Sequence, residues 1–317
     1  MTVASAIPQA LAIVGPTSSG KTALSIAVAR RLGGEIVSMD SRSVYRGMDV
    51  GTAKPSPEER GEIPHHGIDL VEPSERFSAA RWARYARETI AAIRGRGAVP
   101  MLVGGSGFFL RALTDPIFRE PEMDPERRAA LARELDALSD AELLARLEPL
   151  DEETAARLKS GGGRQRLMRA LEVAELTGHS LSWWHRNAPP EAEPVPVLAF
   201  VLAVPRERLA ANIDARIREM IAAGLEDEVR GLVARYGEDA PGLNAHAYIE
   251  LFPYFRGERT LDEALELAAR NTKAYTKRQE TWNRTQLSEP LVRLDALRPR
   301  EELVEEIVGA WRGATGT

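Results

Sequence analysis

The chain has 317 residues, of which 44% are hydrophobic and 28% charged, a composition typical of a globular protein with one large or two ordinary domains. It contains no cysteine, which excludes disulfides and thiolate zinc sites; without an apolar N-terminal targeting run, this favours the cytoplasm. No stretch approaches ~18 uninterrupted apolar residues, so we expect no membrane partner, whereas the net charge of -5 leaves nucleic-acid binding open.

The first predicted strand, Leu11 to Val14, leads directly into a complete phosphate-binding loop (the P-loop). Glycines at both ends let its backbone N–H groups point inward, Lys21 can reach phosphate oxygens, and the Thr22 hydroxyl can bind Mg²⁺. A helix is predicted over Ala23 to Arg31. The residues predicted to bind a di- or triphosphate are Gly15, Thr17, Ser18, Ser19, Gly20, Lys21 and Thr22. The P-loop alone does not show whether the phosphate is hydrolysed, transferred or released.

The second predicted strand, Glu35 to Met39, ends at Asp40. Ligands of an open α/β sheet lie outside the carboxyl ends of its strands, so we expect Asp40 to face the P-loop. The alternative is a loop carboxylate that caps its own backbone, as Asp before Ser often does. Farther along, His65-His66 lacks a third metal ligand nearby, and a short strand is predicted over Gly67 to Val71.

A third strand is predicted at Ala98 to Val103, after a helix that Ser78 caps and that runs to about Arg94. The turn Gly104-Gly105-Ser106-Gly107 follows this strand and leads into another helix. It should therefore lie at the same edge of the sheet as the P-loop.

From Asp124 onward the pattern changes to consecutive helices, up to a proline-rich linker at Ala188 to Pro196. The sequence thus predicts an α/β fold: a P-loop NTPase-like parallel sheet flanked by helices, with an inserted all-helical domain. The predicted bounds are 1–120 and 196–317 for the core and 121–195 for the insert. Within the insert, Gly161-Gly162-Gly163 precedes three arginines at 164, 166 and 169, which suits either a phosphate or RNA contact or an ordinary charged helix start.

The second part of the core carries a basic stripe on a long predicted helix. A strand is predicted over Val197 to Val204 and a helix from Pro205 to Ala223, before the capping box at Thr260 starts the long helix, which runs to about Arg284. The stripe, which spans roughly 60° of the helix, consists of Arg270, Lys273, Lys277 and Arg284. Such a stripe indicates an anionic partner, unless it is a solvated face that pairs with Glu263, Glu266 and Glu280. A closing strand at Leu291 to Leu294 and a helix over Arg298 to Trp311 complete the prediction.

Several of these motifs, in this order, closely resemble those of tRNA dimethylallyltransferases, from about residue 11 to 285. The resemblance rests on the P-loop, Asp40 to Tyr45, Met48 to Pro55, Pro64-His65-His66, Val103 to Gly107, Arg169 to Val173 and Lys277 to Trp282. It implies transfer of a dimethylallyl group from its diphosphate to the exocyclic amine of the adenosine beside the anticodon, with magnesium.

The resemblance also assigns roles to residues. Asp40 matches the general base, which suits an adenine amine because its lone pair is delocalised. Lys21, Mg²⁺ on Thr22 and the family-matching Arg216 would stabilise the departing diphosphate, and Ser106 belongs to the catalytic set. The positions implied to bind the tRNA anticodon stem-loop are Ser41, Arg42, Ser43, Gln165, Arg166, Lys273, Lys277 and Arg278. The enzyme is expected to act as a monomer.

Two departures from the family pattern stand out. Ser106 replaces the usual Thr of a Gly-Gly-Thr-Gly turn, which implies a small effect on substrate placement. Ala247-Tyr248-Ile249 replaces the usual Gly-Tyr-Lys, so an RNA contact near Tyr248 is in doubt. Two rival functions remain at this point: a small-molecule ATP kinase, which would leave the basic stripe without a role, and a non-catalytic RNA-binding module, which would leave Asp40 and the P-loop idle.

Overall fold

Six strands among the described residues form one parallel sheet, and they lie in the first of two compact units of the computed structural model. The described residues are 6–116, 118–119, 121–161, 163–287 and 291–316. The strands are β1 (Ala10–Val14), β2 (Gly34–Ser38), β3 (His65–His66), β4 (Val99–Gly104), β5 (Val197–Ala203) and β6 (Leu291–Asp295). Their order across the sheet is β3-β2-β4-β1-β5-β6. The first unit comprises Met1–Asp115 and Pro194–Thr317, and the second Pro116–Glu193.

Helices make up most of the rest of the described chain. They are α1 (Lys21–Leu32), α2 (Pro57–Glu62), α3 (Ala79–Gly95), α4 (Gly107–Thr114), α5 (Pro125–Asp136), α6 (Asp140–Leu147), α7 (Glu152–Lys159), α8 (Arg164–Thr177), α9 (Leu181–Asn187), α10 (Arg206–Ala222), α11 (Leu225–Tyr236), α12 (Phe252–Phe255), α13 (Leu261–Gln286) and α14 (Arg300–Thr315). A short 3₁₀ helix occupies Pro241–Leu243. No helix in the described ranges is both long and apolar enough to cross a membrane.

The core of the first unit lies on both faces of the sheet. β1 is completely buried, and its side chains alternate between the faces, as strand geometry requires. Ala10, Ala12 and Val14 pack in one hydrophobic cluster with α3 and α4. Leu11 and Ile13 pack in a second cluster with α1 and α14. Burial on both faces explains why β1 is an uninterrupted apolar run that ends at the P-loop.

The capping signals of the sequence form as predicted. The Ser78 hydroxyl accepts a hydrogen bond from the N–H of Arg81 and begins α3. The Thr260 and Glu263 side chains bond each other's backbone N–H groups in a full capping box at the start of α13. These bonds fix where the long helix begins, before it packs against α4 and α10.

The strand predicted over Gly67 to Val71 is wrong. β3 is instead the two-residue segment His65–His66, and Val71 makes only an isolated bridge with Tyr45. Gly67 and Asp69 both have positive φ, 78° and 56°, which is incompatible with a continuous strand. The other five predicted strands lie within one residue of the observed bounds.

The second unit is helical throughout its named elements, α5 to α9. Its core includes Leu135, Leu143 and Leu171. Arg164 is committed to this packing, because its guanidinium donates to the carbonyls of Leu135, Asp136 and Leu138 and pairs with Asp140. Gly162, in the glycine run before α8, lies outside the described residues.

Candidate active site

A cavity of about 440 Å³ lies at the carboxyl ends of β1, β2 and β4. Its polar lining includes Thr17, Ser18, Lys21 and Thr22 of the P-loop, Asp40 to Ser43 after β2, and Arg216 of α10. Its apolar lining includes Ile36, Val103, Ile213, Ile217 and Met220. One cavity thus offers an anion-binding end and a hydrocarbon surface, which suits a ligand with a phosphate head and a short apolar group.

The P-loop has the tight backbone that phosphate binding needs. A side chain at Gly15 would place its Cβ 2.7 Å from the Ser19 hydroxyl, and Gly20 begins α1 with a φ of 83°. Ser18 also has a positive φ, 63°, although it is not glycine. The hydroxyls of Ser18 and Ser19 are buried and have no hydrogen-bond partner among the described residues. Buried polar atoms of this kind are normally satisfied by a ligand or water, so the geometry supports anion binding at this loop.

Lys21 and Arg216 place two cationic groups beside Asp40. Burial lowers the pKa of Lys21 to about 8, an effect that Asp40 opposes and Arg216 reinforces. Burial likewise lowers the pKa of Arg216, and Asp40 again opposes the shift. The Lys21 ammonium donates to the carbonyl of Pro16 at 3.0 Å. Because burial disfavours both positive charges, a bound anion would relieve that cost and would be held strongly.

Asp40 fits both interpretations that the sequence left open. Its Oδ1 accepts hydrogen bonds from the backbone N–H groups of Arg42 at 2.7 Å and Ser43 at 3.4 Å, so the carboxylate does cap its own loop. It also lines the cavity opposite the P-loop side chains. The two capping bonds hold the carboxylate in place, and Oδ1 accepts both of them.

Ser106 lies at the loop after β4 and is not among the described residues that line the cavity. Its hydroxyl accepts a hydrogen bond from the N–H of Ser41 at 3.2 Å, and its own N–H donates to the Met39 carbonyl. A Cβ at Gly104 would lie 2.0 Å from the same Met39 oxygen. Ser106 therefore supports the loop that carries Asp40, and glycine at 104 is required for the two loops to approach.

Gln279 of α13 is a residue of the site to which sequence reasoning assigned no role. It is buried, its Oε1 accepts from the N–H of Thr17 at 3.2 Å, and its Nε2 donates to the carbonyl of Gly105 at 2.9 Å. A Cβ at Gly105 would lie 2.5 Å from Nε2. Asn212 of α10 supports the P-loop in a similar way, donating to the Ser18 carbonyl at 3.1 Å. No local pattern reveals these contacts, because each depends on where a distant helix packs.

The basic stripe on α13 is partly exposed and partly paired. Arg270, Lys277 and Arg284 are exposed, and within the described part of the chain none of them pairs with a carboxylate. Lys273 pairs with Asp214 of α10 at 2.7 Å. Two of the three proposed partners bond elsewhere, since Glu280 pairs with Arg206 and Glu263 closes the capping box.

The remaining residues predicted to contact RNA fall in two places. Ser41, Arg42, Ser43 and Arg278 line the cavity. Arg278 also lies over the ring of Tyr275, with its Cζ 5.8 Å from the ring centroid. Gln165 and Arg166 are exposed at the start of α8, in the second unit.

The segment that departs from the family pattern forms a strained turn. Ala247 has a φ of 71°, where an alanine side chain costs roughly 1–2 kcal/mol relative to the right-handed region. Tyr248 is fully buried; its hydroxyl donates to Glu228 at 2.6 Å, and a Cβ on Gly51 would lie 2.3 Å from its ring. Tyr248 is therefore a packing residue, while Ile249 lines the cavity.

Comparison with known proteins places this chain in a family. A model of the family described as IPP transferase matches residues 43–286, and one described as isopentenyl transferase matches residues 8–64. The chain is 45% identical to the tRNA dimethylallyltransferase of Moorella thermoacetica over 282 residues, which covers 86% of each protein. It is 47% identical to that of a Roseiflexus species over 277 residues, covering 86% of this chain and 89% of the relative.

Solved structures of similar proteins agree with this family assignment. The tRNA isopentenylpyrophosphate transferase of Bacillus halodurans is 34% identical to this chain and superposes with a TM-score of 0.70 over 96% of both chains. A eukaryotic dimethylallyltransferase acting on tRNA gives a TM-score of 0.76 at 24% identity, over 90% of this chain and 73% of that one, and shows likeness of fold alone.

Proposed function

The chain belongs to the IPP transferase family, and from that premise we propose that it transfers a dimethylallyl group from dimethylallyl diphosphate to the N6 amine of the adenosine beside the anticodon in tRNA. The observation that carries the proposal is that a single cavity contains the P-loop, Asp40 and an apolar wall. A diphosphate, a proton acceptor and a place for a five-carbon chain are the three things that this reaction needs.

The chemistry follows from these groups. The adenine amine attacks C1 of the dimethylallyl group, a C–N bond forms, and the C–O bond to the diphosphate breaks. Asp40 accepts the proton that the amine loses, which is useful because the delocalised amine is a poor nucleophile. Lys21, Arg216 and the P-loop N–H groups stabilise the negative charge that grows on the leaving diphosphate. The P-loop therefore binds a leaving group here.

The residues also fit Mg²⁺. This ion prefers oxygen ligands and is often held by few protein groups together with water and substrate phosphates. Thr22 lines the cavity next to Lys21, and no cluster of three His, Cys, Asp or Glu residues that could hold a metal occurs among the described residues. We propose that Thr22 holds Mg²⁺ jointly with the diphosphate. When bound, the ion would neutralise part of the charge on the leaving group.

For tRNA, we propose binding to the exposed cations of α13 and to Arg278 at the cavity, with Gln165 and Arg166 of the helical insert as further contacts. The target base must leave its stack to enter such a cavity. The tRNA substrate supports a cytoplasmic location.

The decisive experiment is mass spectrometry of tRNA nucleosides after incubation of the purified protein with tRNA, Mg²⁺ and dimethylallyl diphosphate. We expect adenosine to gain one C5H8 unit and diphosphate to be released in equal amount. ATP should be neither consumed nor required. Formation of ADP without a prenylated nucleoside would instead support the kinase function, which the sequence similarity does not favour.

A further inference from the structure

His246 is a cavity-lining residue to which neither the P-loop nor the Asp40 chemistry assigns a role. Its Nδ1 lies 3.2 Å from Oε1 of Glu250, whose side chain is only 2% exposed. Glu250 also accepts hydrogen bonds from the Ala247 N–H at 2.7 Å and from Asn271 Nδ2 at 2.9 Å. The imidazole is therefore held by a carboxylate that is itself fixed from three sides.

The proton on His246 can be placed from these contacts. Burial opposes the ionisation of Glu250, but the hydrogen bonds from His246 and Asn271 outweigh it and lower the pKa of Glu250. An ionised carboxylate can only accept, so Nδ1 carries the hydrogen and donates it. In a neutral imidazole Nε2 is then a hydrogen-bond acceptor, and it makes no hydrogen bond to any residue in the described ranges.

The surroundings of His246 are those expected at the base-binding end of the cavity. Its ring centroid is 5.5 Å from that of Tyr275, with the two planes inclined by 55°. Arg278, which lies over Tyr275, lines the same cavity and is exposed. Aromatic faces beside an exposed arginine are typical of sites that receive an unstacked base. Asp40 lines the same cavity, and burial, reinforced by the nearby Asp40 carboxylate, raises the pKa of Tyr275.

We propose that His246 is a specificity-determining residue, which accepts a hydrogen bond through Nε2 from the exocyclic amine of the target adenine. The inference rests on the proposed function, because it concerns the base of the RNA substrate. A primary amine carries two hydrogens, so Asp40 can accept one while His246 accepts the other. A purine with a carbonyl oxygen or a hydrogen at that position offers no donor, and the oriented acceptor would then be left unpaired.

The test is a binding experiment at pH 8 with two anticodon stem-loop RNAs, without dimethylallyl diphosphate. One RNA carries adenosine at the target position and the other carries purine riboside, in which hydrogen replaces the amine. The ratio of their dissociation constants reports recognition of the amine. For His246→Asn, whose amide can still donate to Glu250 but which has no acceptor at the position of Nε2, we expect the ratio to fall by about fivefold to tenfold.

Three variants sharpen the result. His246→Gln can donate to Glu250 and also accept farther out, so it should recover most of the preference for adenosine. His66→Asn is the control: His66 is not among the cavity-lining residues and its Nε2 is bonded to Glu35, so the preference should stay as in the wild type. His246→Phe keeps the ring without an acceptor and replaces His246→Asn if that variant does not fold.

The outcomes separate this inference from the proposed function. A folded His246→Asn or His246→Phe protein with the wild-type preference overturns the role of His246, whatever the activity. If the wild-type enzyme forms no prenylated adenosine from the adenosine RNA and dimethylallyl diphosphate, the proposed function itself fails.

Discussion

Replacing Gln279 by glutamate tests whether the side chain of Gln279, which bridges the P-loop and Gly105, supports the diphosphate site. Glutamate has the same shape and keeps the acceptor for the Thr17 N–H, but it places an oxygen where Nε2 now donates to the Gly105 carbonyl at 2.9 Å. The loss of a hydrogen bond that leaves a buried carbonyl unpaired costs about 1–3 kcal/mol. The new negative charge also lies beside the P-loop and repels the diphosphate.

We expect the affinity of Gln279→Glu for dimethylallyl diphosphate to fall by about tenfold to a hundredfold, because ~1.4 kcal/mol corresponds to a factor of ten. Isothermal titration calorimetry measures this directly, with urea unfolding as the check on stability. Gln279→Met removes both hydrogen bonds without adding charge, so a loss of affinity that it shares with Gln279→Glu reports the hydrogen bonds, and any further loss in Gln279→Glu reports the charge. An unchanged dissociation constant in folded Gln279→Glu would refute the claim that Gln279 supports the diphosphate site.

Three further predictions concern the proton, the anion and the RNA. Asp40→Asn can keep the capping bond to the Arg42 N–H, so tRNA affinity should stay within a few fold while single-turnover prenyl transfer slows by about 100-fold or more; near-normal transfer would contradict the base assignment. Because the pKa of Lys21 is lowered to about 8, its ammonium is charged below that pH and neutral above it. The affinity for diphosphate, measured by calorimetry, should therefore fall by up to ~10-fold per pH unit above pH 8, whereas Lys21→Arg should bind with no such decline. In filter binding of tRNA, Lys277→Ala with Arg284→Ala should flatten the slope of log affinity against log salt by about one to two units. Lys273→Ala should change it less, because Asp214 already pairs with Lys273; equal effects would show that this ion pair opens on binding.

The parts of the fold that the sequence predicted are those that local patterns determine. β1 and β5 are short apolar runs because both faces of the sheet are covered, and the capping boxes depend on residues three positions apart. The strand predicted over Gly67 to Val71 failed because the local pattern did not show that Gly67 and Asp69 adopt positive φ.

The parts of the site that escaped prediction depend on contacts between distant residues. Gln279 bonds to Gly105, 174 positions away, and Lys273 bonds to Asp214, 59 positions away. The sequence around Gln279 gives no indication of its hydrogen bonds. The ion pair of Lys273 cannot be predicted without knowing that α10 packs beside α13. The P-loop and Asp40 could be located from sequence because they follow strand ends, but the neighbours of Ser106 could not.

The contacts of α13 limit where residues can be inserted into or deleted from this chain. It is 26 residues long and carries Tyr275 and Arg278 at the cavity, Gln279 on the P-loop and Trp282 against Gly107. One inserted or deleted residue turns everything beyond it by about 100° and shifts it by about 1.5 Å. An insertion before Tyr275 would therefore displace all these contacts together, whereas a substitution changes only one. Variation in length should therefore be confined to the loops on either side of the helix. The fixed length of α13 then sets the spacing between its RNA-facing residues and the diphosphate site.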